Sequence, residues 1–125
     1  MALASSTSSS DDALRGDIWF TELDPVVGDE IQKTRPCVII SADGLKSLKV
    51  KLVVPIREWK SSHDNNPWYV PIEITIKNGL TKKSTADVLQ TRCVSTDRLN
   101  NKSGFVSAEV IQEIVTALAS IIEYV

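Results

Sequence analysis

A change in hydrophobic period limits what this 125-residue chain can fold into. Up to Ser95 the apolar residues come in short, β-branched runs broken by Pro, Gly and Asn, whereas from Val110 they recur at three-and-four spacing. Runs of the first kind read as strands, and the second pattern as one face of a helix. "DIWFTEL" (Asp17 to Leu23) alternates and carries aromatics. "CVIIS" (Cys37 to Ser41) is continuously apolar, as in a strand covered on both faces. "LKVKLVVPI" (Leu48 to Ile56) begins with Leu48, Val50 and Leu52 on one face and Lys49 and Lys51 on the other, then enters the core. "YVPIEITI" (Tyr69 to Ile76) sets Val70, Ile72, Ile74 and Ile76 on one face, and Pro71 argues for a sheet edge. "STADVLQTRCVS" (Ser84 to Ser95) supplies one long or two bent strands. The tail pattern of Val110, Ile111, Ile114, Val115, Leu118, Ile121, Ile122 and Val125 is an amphipathic helix, with Ser107 as N-cap and Glu109 in the first turn. Six or seven strands followed by one helix predict a small, strongly bent sheet or β-barrel with a C-terminal amphipathic helix.

The length suits one domain, expected over residues 15–125. Residues 1–14 read as a disordered tail, since "MALASSTSSSDD" has neither the basic start nor the apolar core of a signal peptide. No apolar run approaches the roughly 18 residues of a membrane span, so no membrane partner is expected. The net charge of −2 gives no overall pull toward nucleic acid, so an anion site must be built locally from positioned Lys and Arg. Cys37 and Cys93 lie in strand-like apolar contexts without Cys-x-x-Cys spacing, and read as buried reduced thiols. One histidine and two distant cysteines cannot form a closed zinc site. His63 reads as a solvent-exposed histidine in the long polar stretch "REWKSSHDNNPW" (Arg57 to Trp68). No glycine-rich phosphate loop is present, and no cofactor is expected.

What remains is arginine chemistry. In "GDEIQKTRPCVII" (Gly28 to Ile40), Arg35 precedes Pro36 and is therefore held extended at the mouth of an apolar strand, where its exit direction is set. In "LQTRC", alternation places Gln90 and Arg92 on one strand face, opposite Thr91. Guanidinium forks suit phosphate, and two of them with a glutamate suffice to grip an RNA phosphodiester; the same charges also suit an ordinary surface. Trp59 and Trp68 flank the long loop, as base-stacking platforms or as half-buried anchors. Trp19 belongs to a core or an interface.

The segments "RGDIWFTELDPVVGDEIQKTRPCVIIS" and "NGLTKKSTADVLQTRCVSTDRL", with the terminal helix, resemble the MazF/PemK family of toxin endoribonucleases from Arg15 to Val125. The resemblance implies an SH3-like β-barrel, usually a homodimer, in a prokaryotic cytoplasm. It also implies metal-independent, sequence-selective cleavage of single-stranded RNA, leaving a cyclic phosphate and a 5′-hydroxyl. Its implied partner is a cognate antitoxin whose extended acidic segment covers the RNA groove. By this resemblance Arg35 is the catalytic arginine, acting as electrostatic clamp and proton donor, because a guanidinium is a poor base. Glu30 becomes the group that positions or accepts the proton. Lys33, Gln90 and Trp59 are expected to contact substrate, and Arg92 to make a substrate or a structural contact. At one position the chain departs from the family: after "VVPI" a Thr or Ser is usual, and here stands Arg57. Arg57 is either a stronger phosphate contact or an obstruction, so a catalytically weakened relative that binds RNA or antitoxin is a second expectation. A gyrase-targeting toxin of CcdB type is a third, against which the Glu30-to-Arg35 loop argues.

Overall fold

The computed structural model describes residues 9–45 and 47–124. Seven strands, β1 (Asp17–Glu22), β2 (Thr34–Ile39), β3 (Val50–Glu58), β4 (Tyr69–Ile72), β5 (Ser84–Asp87), β6 (Arg92–Ser95) and β7 (Leu99–Phe105), precede one helix, α1 (Ala108–Ile121). All pairings are antiparallel, in the order β4-β5-β3-β2-β1-β7, with β6 also on β3. β3 is the spine. Its residues 50–53 pair with β6, 53–55 with β2 and 56–58 with β5, so the sheet turns along this strand. Strands β4 and β7 stand at opposite ends of that order, which leaves the bent sheet open rather than strictly closed.

Two cores explain the continuous apolar runs. Ile18, Val38, Val54, Ile56, Ile72 and Ala86 cluster with Ile111, Ile114 and Ala117 of α1. Trp19, Cys37, Ile39, Val53, Val94 and Leu99, alternating with the first set along their strands, form the second cluster. "CVII" thus has apolar neighbours on both faces, as its lack of alternation predicts, and Trp19 is a core residue. The helix begins as expected, with Ser107 Oγ accepting from the Val110 amide at 3.2 Å.

Several elements differ from the sequence reading. β4 stops at Ile72, and Ile74 and Ile76 are exposed. Buried Asn78 organises the following turn instead, its side chain accepting from the amides of Thr75 (3.2 Å) and Leu80 (3.0 Å) and donating to Glu73 O (2.8 Å). β4 does occupy a sheet edge, where Pro71 leaves no ladder bond unmade. β7, "LNNKSGF", carries no strand pattern because one flank is open and several of its side chains meet water. Gly104 lies there against the Lys77 carbonyl, and a Cβ at this position would collide with backbone. Cys37 is buried as expected; Cys93 is exposed, since β6 turns that face outward.

Of the expected N-terminal tail, residues 1–8 lie outside the described residues. Ser10–Asp12 form a 3-10 turn, and Ala13 is buried in the second core. Asp11 ties this turn to the sheet, accepting from Lys49 Nζ at 2.8 Å and Thr96 Oγ1 at 3.1 Å. The Lys49 bond holds the Asp11 carboxyl below its ordinary value. On β3 the expected faces are inverted: Lys51 is buried, whereas Val50 and Leu52 on the other face are exposed.

Candidate active site

The loop from Leu23 to Lys33 joins β1 to β2, and its shape comes from borrowed side chains. The Leu23 amide donates to Lys33 O (3.0 Å), and the Lys33 amide donates to Asp24 Oδ2 (3.1 Å). Arg92 donates to Leu23 O (3.1 Å), while Arg98 donates to Glu22 O (2.9 Å) and Asp24 O (2.6 Å). Gln90 bonds the loop twice, accepting from the Ile31 amide (3.1 Å) and donating to Asp29 O (3.1 Å). Inside the loop, Glu30 Oε1 accepts from the Val27 amide at 2.6 Å.

This loop forms one wall of a cleft of about 340 Å³, lined by Asp29, Glu30, Ile31, Gln32 and Arg35. The facing wall is the end of β3 and the segment after it: Arg57, Glu58 and Lys60. Arg35 is half-buried, and its Nε donates to Gln32 O at 3.3 Å. Arg57 crosses to β5, donating from Nη1 to Asp87 Oδ2 at 3.3 Å. Three cations and three carboxylates line this space, so attraction for an anion comes from the aim of the guanidinium forks rather than from net charge. On the other side of residues 29–31 lies a second hollow of about 450 Å³, lined by Pro55, Leu89, Gln90, Thr91 and Arg92.

Behind the β3 wall is a buried layer. Asp87 is nearly inaccessible, and burial pushes its carboxyl above the ordinary aspartate value while Arg57 opposes that rise. His63 is buried too, contrary to its reading as an exposed loop residue. A short 3-10 turn (Ser61–His63) folds it back, so that Nδ1 accepts from the Lys60 amide at 3.1 Å and the ring packs 4.2 Å from that of Tyr69. Burial, reinforced by the charges of Arg57 and Lys60, lowers its pKa. An accepting Nδ1 puts the proton of the neutral ring on Nε2.

Arg35, Glu30 and Arg57, expected from the sequence, are therefore brought into one cleft. Gln90 and Arg92 are not on one strand face: Gln90 ends a 3-10 turn (Val88–Gln90) and Arg92 opens β6, because the chain bends between β5 and β6. Both brace the β1–β2 loop and line only the second hollow. Lys33, at a backbone φ of 70°, and Trp59 line neither space. Trp59 is half-buried, with Lys83 Nζ 4.2 Å from its ring centre. Sequence reasoning missed Glu58, Lys60, Asp87 and Arg98. Among the described residues, no three His, Cys, Asp or Glu side chains gather as a metal site.

The profile described as "PemK-like, MazF-like toxin of type II toxin-antitoxin system" matches residues 14–122. The chain belongs to this family. It is 32% identical over 110 residues to Endoribonuclease MazF9 of Mycobacterium tuberculosis, covering 83% of this chain and 91% of that protein. It is 30% identical over 104 residues to Endoribonuclease MazF of Staphylococcus saprophyticus, covering 83% and 86%. The fold matches a mycobacterial endoribonuclease solved in complex with its cognate antitoxin, at a TM-score of 0.72 and 18% identity over 90% of this chain and 97% of that one. MazF of Deinococcus radiodurans matches equally well, at 0.72 and 16% identity over 88% and 94%. The open, bent sheet with one terminal helix is thus the fold of MazF-like toxins. No helix among the described residues is long and apolar enough to cross a membrane.

Proposed function

We propose that this MazF-like toxin is an endoribonuclease that cuts single-stranded RNA in the cleft between the β1–β2 loop and the end of β3. The observation that carries this reading is the convergence of Arg35, Arg57 and Glu30, from two separate segments, on one space of about 340 Å³. The substrate's own 2′-hydroxyl attacks the adjacent phosphorus, the P–O5′ bond breaks, and a 2′,3′-cyclic phosphate and a 5′-hydroxyl result. Arg35 and Arg57 clamp the phosphate and meet the charge that builds on its oxygens as the phosphorane forms. Arg35 also donates toward the leaving oxygen. Glu30 positions the 2′-hydroxyl and accepts its proton, with its place in the loop set by the Val27 amide. Gln90 and Arg92 act by holding that loop in shape, and Lys33 and Trp59, outside both hollows, contact RNA flanking the cut in this reading.

The active form in this reading is a homodimer in the cytoplasm, neutralised by a cognate antitoxin laid over the same cleft. An acidic antitoxin segment and an RNA phosphate compete there for the same three cations, Arg35, Arg57 and Lys60. A weakened enzyme is the second reading. Arg57 is already paired with Asp87, which lessens the attraction it has left for phosphate.

The test is incubation of the purified protein with a long single-stranded RNA in EDTA, with the new ends mapped. Cuts at defined sites bearing cyclic phosphate are expected. Intact RNA at all protein concentrations refutes the proposal.

A further inference from the structure

The cleft explains why Arg57 is present but not why a carboxylate is buried behind it. Asp87 is the last residue of β5, in register with Tyr69 of β4, and its side chain is 4% exposed. Burying a lone carboxylate is unfavourable unless a partner offsets the lost hydration. The partner is Arg57, whose side chain is 38% exposed and reaches from the pair into the cleft. The two residues sit on adjacent strands, where Arg57 pairs with Thr85, two residues before Asp87. The guanidinium is thereby anchored at one edge on the sheet, while the side chain still lines the cleft.

We propose that Asp87 is a positioning residue for RNA cleavage: it holds the Arg57 guanidinium at the angle that meets the phosphorane. Resting on the reading of the cleft as an RNA-cleaving site, this assigns the residue after "STA" a role that spacing alone does not suggest. A flexible arginine on an exposed strand end samples many rotamers, and fixing it before substrate arrives lowers the cost of reaching the transition state. Arg57 thus becomes a preset clamp rather than a loose surface charge. The contribution falls on the chemical step, since an interaction aimed at the transition state changes kcat more than KM.

A double-mutant cycle on the full chain tests this, with RNA cleavage followed across substrate concentrations. Asp87→Asn is expected to lower kcat about tenfold with KM changed less than about twofold, whereas in an Arg57→Ala background it changes kcat by less than about twofold. A merely structural Asp87 gives the same factor in both backgrounds, and that result overturns the proposal. If Asp87→Asn does not fold, Asp87→Glu, which keeps the charge and displaces it by one methylene, runs the same cycle. A second readout does not need cleavage: the ¹⁵N relaxation of Arg57 Nε–Hε, assigned with Arg57→Lys. Restricted motion in the parent protein and release in the Asp87 variant, with Arg35 unchanged, is expected. If the parent protein cuts no RNA, the enzymatic reading fails and this signal alone decides the positioning. Equal Arg57 motion in both proteins overturns it.

Discussion

On one wall of the cleft, Arg35 is steadied by a backbone carbonyl of its own loop, and that loop takes its form from Gln90, Arg92 and Arg98 reaching in from β5–β7. On the other wall, Arg57 leaves a paired strand and is tied to a buried carboxylate. The first wall can yield to a substrate or a partner, since its bonds are exposed or half-buried and individually modest. The second is preset.

Substitutions on each wall test this contrast. The largest effect is expected for Arg35→Ala, which in the proposed mechanism removes the donor to both the leaving oxygen and the phosphate: about 10²–10³-fold in kcat by cleavage assay, with melting temperature nearly unchanged. Arg57→Thr should cost less in rate, about 10–10²-fold, but more in stability. It strands Asp87, for about 1–2 kcal/mol by urea unfolding, the low end of the range because the guanidinium is 38% exposed. The pH dependence has a definite sign. Burial raises the Asp87 pKa above 3.8, so its contribution to stability is present below that value and is lost as pH rises through the folded value. The deficit of Arg57→Thr should therefore narrow in acid, as Asp87 takes up a proton, and a deficit equal at neutral and acid pH would contradict the pair.

Gln90→Ala comes next. It frees the Ile31 amide and the Asp29 carbonyl, and is expected to slow cleavage about tenfold and to speed proteolytic nicking of the β1–β2 loop, with β3 unaffected. Protection of the loop equal to that of the parent protein would show that Gln90 does not hold it. The smallest effect concerns His63. Its depressed pKa means that its contribution to stability is present above 6.5 and lost as pH falls through the lower folded value, where a third cation would face Arg57 and Lys60. His63→Asn should flatten that fall by no more than about 1.4 kcal/mol per pH unit.

The same contrast marks what the sequence discloses. Arg35 was legible because Pro36 and an apolar strand set its backbone, and Glu30 because the loop resembles a known family. The two cores behind "CVII" and the terminal helix followed from periodicity, a local property. Asp87 and His63 were not legible, because burial of a polar residue depends on pairing between segments far apart in sequence. Gln90 and Arg92 fall on one strand face only if the strand is straight, and the chain bends between them. β7 escaped notice for a related reason: a strand with one open flank needs few apolar residues. Arg57 reads from the sequence as a phosphate contact or an obstruction, and its partner, thirty residues later, is not legible there.

The central claim is that this cleft promotes attack by RNA's own 2′-hydroxyl on a phosphate held between Arg35 and Arg57. The most direct measurement uses two short RNAs carrying a mapped cut site, one of them 2′-deoxy only at the nucleotide 5′ to the cut, each incubated with excess protein in EDTA. Cleavage of the all-RNA strand to a 2′,3′-cyclic phosphate is expected, with no cleavage of the deoxy strand at that position. Equal cutting of both strands would contradict it, because the nucleophile would then be something other than the 2′-hydroxyl.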